Sequence, residues 1–251
     1  MPGQKQAGKT ENRPLSYLGN LLYLWYTTFE KKETSDMDLQ NQIIVAATRN
    51  QHKIREIDQI TSQFGMKIIS RDEAGIPPVE IEEDGKTFEE NSYKKAYEIM
   101  KLCGQITIAD DSGIEADALG GAPGIYSARY AAMSDDLTED HAPGEDSDDK
   151  ENNKKLIRLL SPFPYEERTG RFVSVITMVF PDGTHITARG TVEGHILLEE
   201  HGSGGFGYDP LFVPDGYDKT FGQLPAELKN QISHRANALK TLQQKLAERM
   251  G

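Results

Sequence analysis

Cysteine is almost absent: Cys103 is the only one in 251 residues. That excludes an intrachain disulfide and any cysteine-cluster zinc site, and it fits a reducing compartment such as the cytoplasm. Positive charge is also scarce, with 28 Lys and Arg against 40 Asp and Glu and a formal net charge of -12. A broad electrostatic grip on duplex nucleic acid is therefore not expected. An acidic chain can still hold a polyphosphate if local lysines, backbone N–H groups or a metal neutralise it. Two phosphate-binding signatures are missing from the strand-and-helix pattern as well. A Gly-x-x-x-x-Gly-Lys-Thr string stands at residues 3–10, with no strand pattern leading into it. From residue 42 onward there is no Gly-x-x-x-x-Gly-Lys-Ser/Thr element and no Gly-x-Gly-x-x-Gly directly after a strand, which removes the main signals of P-loop nucleoside triphosphatases and dinucleotide oxidoreductases. Long apolar runs are lacking too. The uncharged stretch over residues 14–29 has only 16 residues, includes Asn20 and several hydroxyls, and is short for a bilayer span. It also lacks the basic lead and Ala-x-Ala-like site of a secretory signal. Residues 1–41 are read as a poorly ordered or peripherally docked extension without membrane contact, and Met37 lies just before the compact pattern begins.

What is present is an alternation of strand and helix patterns. The apolar run Ile43-Ile44-Val45-Ala46-Ala47 suits a buried strand. Asn50 can cap a following helix whose apolar face is Ile54, Ile57, Ile60 and Phe64, with Gly65 as its stop. Met66 to Ser70 reads as the next strand, giving a β-α-β opening. A loop over Pro77 to Gly85 precedes a helix at 88–103 and a strand at 105–109. Residues 135–151 hold nine carboxylates against one lysine, with Pro143 and Gly144 in the middle. That composition describes a solvated acidic insert rather than core. A helix around 151–161 follows. Phe172 to Phe180 and Thr184 to Val192 flank a Pro-Asp-Gly turn and form a hairpin, so the sheet is mixed and the fold class α/β. A strand over 208–213 and a helix over 233–249, with Ala236, Leu239, Leu242 and Leu246 on one side, complete the pattern.

Four segments concentrate chemistry. Ile108-Ala109-Asp110-Asp111-Ser112-Gly113 places two adjacent carboxylates at what reads as a strand end. Adjacent Asp side chains need solvent, a base or a cation, and a hard divalent metal would serve, although the same four residues also make an ordinary surface turn. Thr48-Arg49-Asn50-x-x-Lys53-x-x-Glu56 lies where the first strand enters the first helix. Free N–H groups there, with Thr48, Asn50 and Lys53, would cradle a triphosphate; an Asn cap with solvent-facing Lys53 and Glu56 explains the spacing equally well. Thr87 and Glu90 form a capping box, yet Glu90 and Glu83 could also direct oxygens at a metal. In the glycine-rich loop before Pro210, Phe206 offers a ring face to a base, and Asp209 can accept from a ring N–H or hold a basic side chain. Lys229, His234 and Arg235 supply donors near the last helix. His52, His141, His185, His195 and His201 read as surface residues.

Taken in order, these motifs resemble the inosine triphosphate pyrophosphatase, or non-canonical purine nucleoside triphosphate pyrophosphatase, family. The resemblance runs from about Gln42 to Met250. It rests on T-R-N-x-x-K-x-x-E at 48–56, T-F-x-E-N-x-x-x-K-A at 87–96, A-D-D-S-G at 109–113, L-G-G-A-P-G-I-Y-S-A-R-Y at 119–130, G-G-F-G-Y-D-P at 204–210 and S-H-R at 233–235. It implies one domain over 42–251, elongated and two-lobed, with a mixed sheet flanked by helices and the active site in the central cleft. It further implies a homodimer and Mg²⁺-dependent hydrolysis of ITP, dITP and XTP to the monophosphate and pyrophosphate. On the same basis Asp111 is general base and metal ligand, with Glu83 and Glu90 as further metal carboxylates. Thr48, Arg49, Asn50, Gln51, His52 and Lys53 would bind phosphates, with Lys53 also catalytic. Ser112, Phe206, Gly207, Tyr208, Asp209, Lys229, His234 and Arg235 would complete the substrate pocket. Many relatives have Gly or Asn where Arg49 stands. The other expectations to weigh are a pyrophosphatase for another modified nucleoside triphosphate and a catalytically silent nucleotide sensor.

Overall fold

The computed structural model describes residues 42–62, 65–134 and 147–250. The expectations for the extension at 1–41, Phe64, His141 and most of the acidic insert lie outside those residues. Among the described residues a six-stranded sheet has the order β2-β1-β3-β4-β5-β6. Its strands are β1 (Ile43–Ala46), β2 (Lys67–Ser70), β3 (Thr107–Ala116), β4 (Thr169–Val179), β5 (His185–Ile196) and β6 (Phe212–Pro214). Five helices flank it: α1 (Gln51–Thr61), α2 (Phe88–Cys103), α3 (Asp149–Leu160), α4 (Ala226–Ile232) and α5 (His234–Met250). β1 is parallel to β2 and β3, whereas β3 to β6 run antiparallel in succession. The β-α-β opening and the mixed sheet are as the sequence pattern indicates.

Three boundaries depart from that pattern. β3 does not end at the carboxylates; it runs through Asp110 and Asp111 to Ala116, paired with β4 along all ten residues. Strand pairing continues because cations from the flanking helices partner both side chains, as described below. The strand expected over 208–213 is a 3-10 turn, Asp209–Leu211, followed by a three-residue strand, because Pro210 at the turn cannot donate to a ladder. The last helix is as expected, within a residue at each end; the short α4 ahead of it was not foreseen, and Ser233, in extended backbone, separates the two while its Oγ accepts from the Ala236 amide. The end of the acidic run is not loop either: Asp148 caps α3, and Asp149 and Glu151 occupy its first turn, where negative charge favours the helix.

Both faces of the sheet are covered, so successive residues of β3 enter different cores. Ile108 packs with Ile54, Ile57, Ala238 and Leu242 from α1 and α5. Its neighbour Ala109 packs with Ala96, Ile99 and Met100 from α2. Beyond Ile108, β1 has ended, and the edge of β3 opposite β4 is open from Asp110 until Ile114, whose amide donates to Ser127 Oγ at 2.9 Å. Gly113 is needed there, since a Cβ would collide with the Gly124 carbonyl and Ser127 Oγ. Gly190 has a matching role on β5. A Cβ would strike the backbone of α5 at His234 and Ala238, so glycine lets the start of α5 lie directly on the sheet.

Candidate active site

The alternation of β3 splits the Asp pair. Asp110 faces α1 and α5, and its carboxylate is wholly enclosed. It accepts from Ser174 Oγ at 2.5 Å, Ser112 Oγ at 3.0 Å and Arg235 Nη2 at 3.0 Å, with Lys53 Nζ at 3.1 Å. Burial alone would raise its pKa, but Arg235 and Lys53 hold it well below the usual carboxylate range. Asp111 faces α2, where its Oδ1 accepts from Lys95 Nζ at 2.7 Å. Its Oδ2 is buried with no hydrogen-bond partner. Burial and the nearby Glu83 carboxylate push the Asp111 pKa up despite Lys95. Lys95 also donates to Glu83 at 3.2 Å, and these two anions keep it protonated although burial opposes its charge.

Around Asp110 runs a line of alternating charge. Asp209 meets Lys229 at 2.6 Å, Lys229 meets Glu56 at 2.8 Å, Glu56 meets Arg235, and Arg235 meets Asp110, which ends the line on Lys53. Three anions therefore face three cations, and each interior member has a partner on both sides. Burying such charges singly would be costly; as a chain they satisfy one another and fix α1, α4, α5 and the glycine loop against β3. Burial would raise the Glu56 pKa, yet Arg235 and Lys229 lower it, whereas burial prevails at Asp209 and raises its pKa. Over the line lies the Phe206 ring, with Lys229 Nζ 5.1 Å and the Arg235 guanidinium carbon 5.8 Å from its centroid. His52 stands beside it at 5.4 Å between ring centroids. His234 stacks on Phe172 at 4.8 Å, its Nδ1 buried without a partner.

The Asp111 side has the donors a hard cation takes. The Asp111 and Glu83 carboxylates share one ammonium while Asp111 Oδ2 has no partner, and Mg²⁺ is usually held by one or two carboxylates plus phosphate oxygens and water. Among the described residues no group of three or more His, Cys, Asp or Glu side chains converges on a metal position.

Comparisons with known proteins bear on the family. The sequence profile of the Ham1 family matches residues 44–245. The chain belongs to the Ham1 family. Among relatives, the dITP/XTP pyrophosphatase of Desulforamulus reducens is 46% identical over 198 residues, covering 78% of this chain and 92% of its own. That of Clostridium perfringens is 46% identical over 208 residues, covering 80% and 96%. The solved Ham1 protein of Staphylococcus aureus superposes with a TM-score of 0.69 at 42% identity, covering 82% of this chain and 99% of its own.

Within this Ham1 chain the structure brings most sequence-singled residues together. Lys53, Asp111, Ser112, Phe206, Asp209, Lys229, His234 and Arg235 lie in or beside the two charge clusters, and Glu83 joins Asp111 through Lys95. Arg49, Asn50, Gln51 and His52 are exposed around the start of α1, with Thr48 half-buried beside them. The amides of His52 and Lys53 are not free, because Asn50 Oδ1 accepts from both at 2.9 and 3.2 Å, and Thr48 Oγ1 takes the Asn50 amide. Glu90 is not brought to Asp111: it is exposed, and its Oε2 accepts from the Lys86 amide at 2.6 Å as part of the α2 cap. Tyr208 is buried with its hydroxyl donating to the Ser127 carbonyl, whereas Phe206 and Gly207 are half-buried and residues 202–205 of the loop are exposed. Two contributors were missed. Lys95 falls on the buried α2 stripe of Phe88, Asn91, Ser92, Ala96 and Ile99, a phase that could have flagged it. Glu56 sits one helical turn from Lys53, which placed it on the same flank of α1.

Proposed function

We propose that this protein hydrolyses non-canonical purine nucleoside triphosphates, ITP, dITP and XTP, to the nucleoside monophosphate and pyrophosphate, clearing them from the nucleotide pool. One observation carries the reading: of two adjacent buried carboxylates, Asp110 is neutralised within the protein, whereas Asp111 keeps a buried oxygen without a partner. That oxygen would take the proton of a water aimed at the α-phosphorus, with Lys95 holding the other oxygen still. Lys53, half-buried at the start of α1, presents its charge between the Asp110 and Asp111 sides and offsets negative charge on the phosphates. Mg²⁺, held by Asp111 and Glu83, would supply charge neutralisation and orientation of the triphosphate.

At the other end of the ion line, Phe206 offers a ring face to the base. The ammonium of Lys229 has three N–H groups and gives two to Glu56 and Asp209, leaving one for the base. Hypoxanthine and xanthine present a 6-oxo acceptor to such a donor; adenine presents an amine and leaves it unsatisfied. Discrimination by an unpaired buried donor is stronger than discrimination by shape. A homodimer and a cytoplasmic setting belong to the same reading; among the described residues no helix is long and apolar enough to cross a membrane. The test is pyrophosphate release from ITP, XTP, dITP, GTP and ATP with and without Mg²⁺. Release from the first three that needs the metal is expected; equal release from ATP, or release of orthophosphate alone, would overturn the reading.

A further inference from the structure

One turn of α3 clasps the glycine loop that carries Phe206. Asp149 Oδ2 accepts from the Gly207 amide at 2.8 Å, and Asn153, four residues on and so on the same helix face, donates from Nδ2 to the Gly207 carbonyl at 3.2 Å. Both polar groups of one backbone residue are thus held by two side chains of one helix. Asn153 is buried, and its Nδ2 also donates to Glu200 Oε1 at 2.7 Å, which fixes its orientation. Gly207 adopts a φ of +60° with open space where a Cβ would lie, so glycine is there for its backbone conformation rather than for room. On the other flank of Phe206, Asp209 Oδ2 accepts from the Phe206 amide at 2.8 Å. The Phe206 ring is therefore aimed from two sides, by the buried ion line through Asp209 and by α3 through Gly207.

We infer that Asp149 and Asn153 are positioning residues for base selection, acting through Gly207 on the plane of the Phe206 ring. This rests on the pyrophosphatase reading. A base stacked on that ring inherits its tilt. Directional donors to a 6-oxo group lose their alignment when the plane shifts, whereas a base that makes no such contact loses only stacking. Relaxing the clasp should therefore cost ITP more than ATP, through KM rather than turnover.

Asp149 is exposed, so its substitution spares the core. D149A removes the acceptor and a helix-start charge; D149N removes the charge but keeps an acceptor oxygen. In D149A, kcat/KM for ITP is expected to fall about five-fold through KM, the worth of one hydrogen bond, with ATP unchanged. D149N should restore the wild-type ratio. Backbone amide exchange over residues 203–209 should quicken in D149A and not in D149N, a readout independent of catalysis. Unchanged exchange and an unchanged ITP-to-ATP ratio in D149A would overturn the inference, as would D149N behaving like D149A. A wild-type enzyme that does not prefer ITP would overturn the pyrophosphatase reading itself and the clasp's role in selection with it. A selective wild type with an equally selective D149A overturns the clasp alone.

Discussion

Two aspartates joined by one peptide bond have different settings because a strand turns successive side chains to opposite faces. Asp110 is held by Arg235, Lys53, Ser174 and Ser112, and every one of those contacts stabilises the charged form. Asp111 has one firm partner and one vacant lone-pair set. Asparagine at each position should therefore give different phenotypes. D111N is expected to fold with a wild-type urea midpoint and to lose about 10² to 10⁴ in turnover, the usual worth of a general base. D110N leaves the fully buried Arg235 short of a counter-charge and should lose roughly 3 kcal/mol of stability, read as a lower urea midpoint. Near-normal turnover in D111N, or unchanged stability in D110N, would reverse the assignments.

At the scale of elements, the sequence pattern located the local features and missed those fixed by distant partners. The Asn50 cap, the Thr87 cap and the stripe of Ala236, Leu239, Leu242 and Leu246 depend on neighbours within a turn or two, and all were legible. The run of β3 past Asp110 was not, since two carboxylates read as a turn until Arg235, 125 residues away, is placed beside them. α4 was not read at all, because its seven residues are too few to show a helical repeat. Among site residues, Phe206 was visible as a ring in a glycine-rich loop, and Lys229 and Arg235 as donors near the last helix. Lys95 and Glu56 were read as solvent-facing or left without a role, because their partners come from the loop before α2 and from α4 and α5. The packing of α5 on β4 carries its own pH dependence. His234 is wholly buried against Phe172, and burial together with Arg235 and Lys229 depresses its pKa far below the usual value. In the unfolded chain it takes a proton below about pH 6.5, while the folded protein does not. Stability is thus full above that pH and falls as the solution is acidified toward the folded pKa, by up to about 1.4 kcal/mol per pH unit from this residue. Urea midpoints at pH 7 and pH 5 should show the loss, and H234Q should flatten it; an unaltered slope would place the titration elsewhere.

For the whole molecule, an acidic chain that handles an anionic substrate must localise its positive charge. The ion line is neutral by itself, and the second cluster, with one lysine against Asp111 and Glu83, is left with an excess negative charge. On the proposed reading, a triphosphate approaching that cluster needs a cation to bring it in, and Mg²⁺ dependence would follow from the same residues that hold Asp111 in place. The two clusters also separate tasks along the sheet. On the proposed reading, phosphate handling would lie at the open edge of β3 and base reading at the glycine loop beyond Lys229. The most direct measurement is a competition in which equimolar ITP and ATP are mixed with the protein and Mg²⁺, and all products are resolved. IMP and pyrophosphate in equal amounts, with AMP far behind, is the predicted result; AMP keeping pace with IMP, or IDP and orthophosphate in place of IMP and pyrophosphate, would contradict the account.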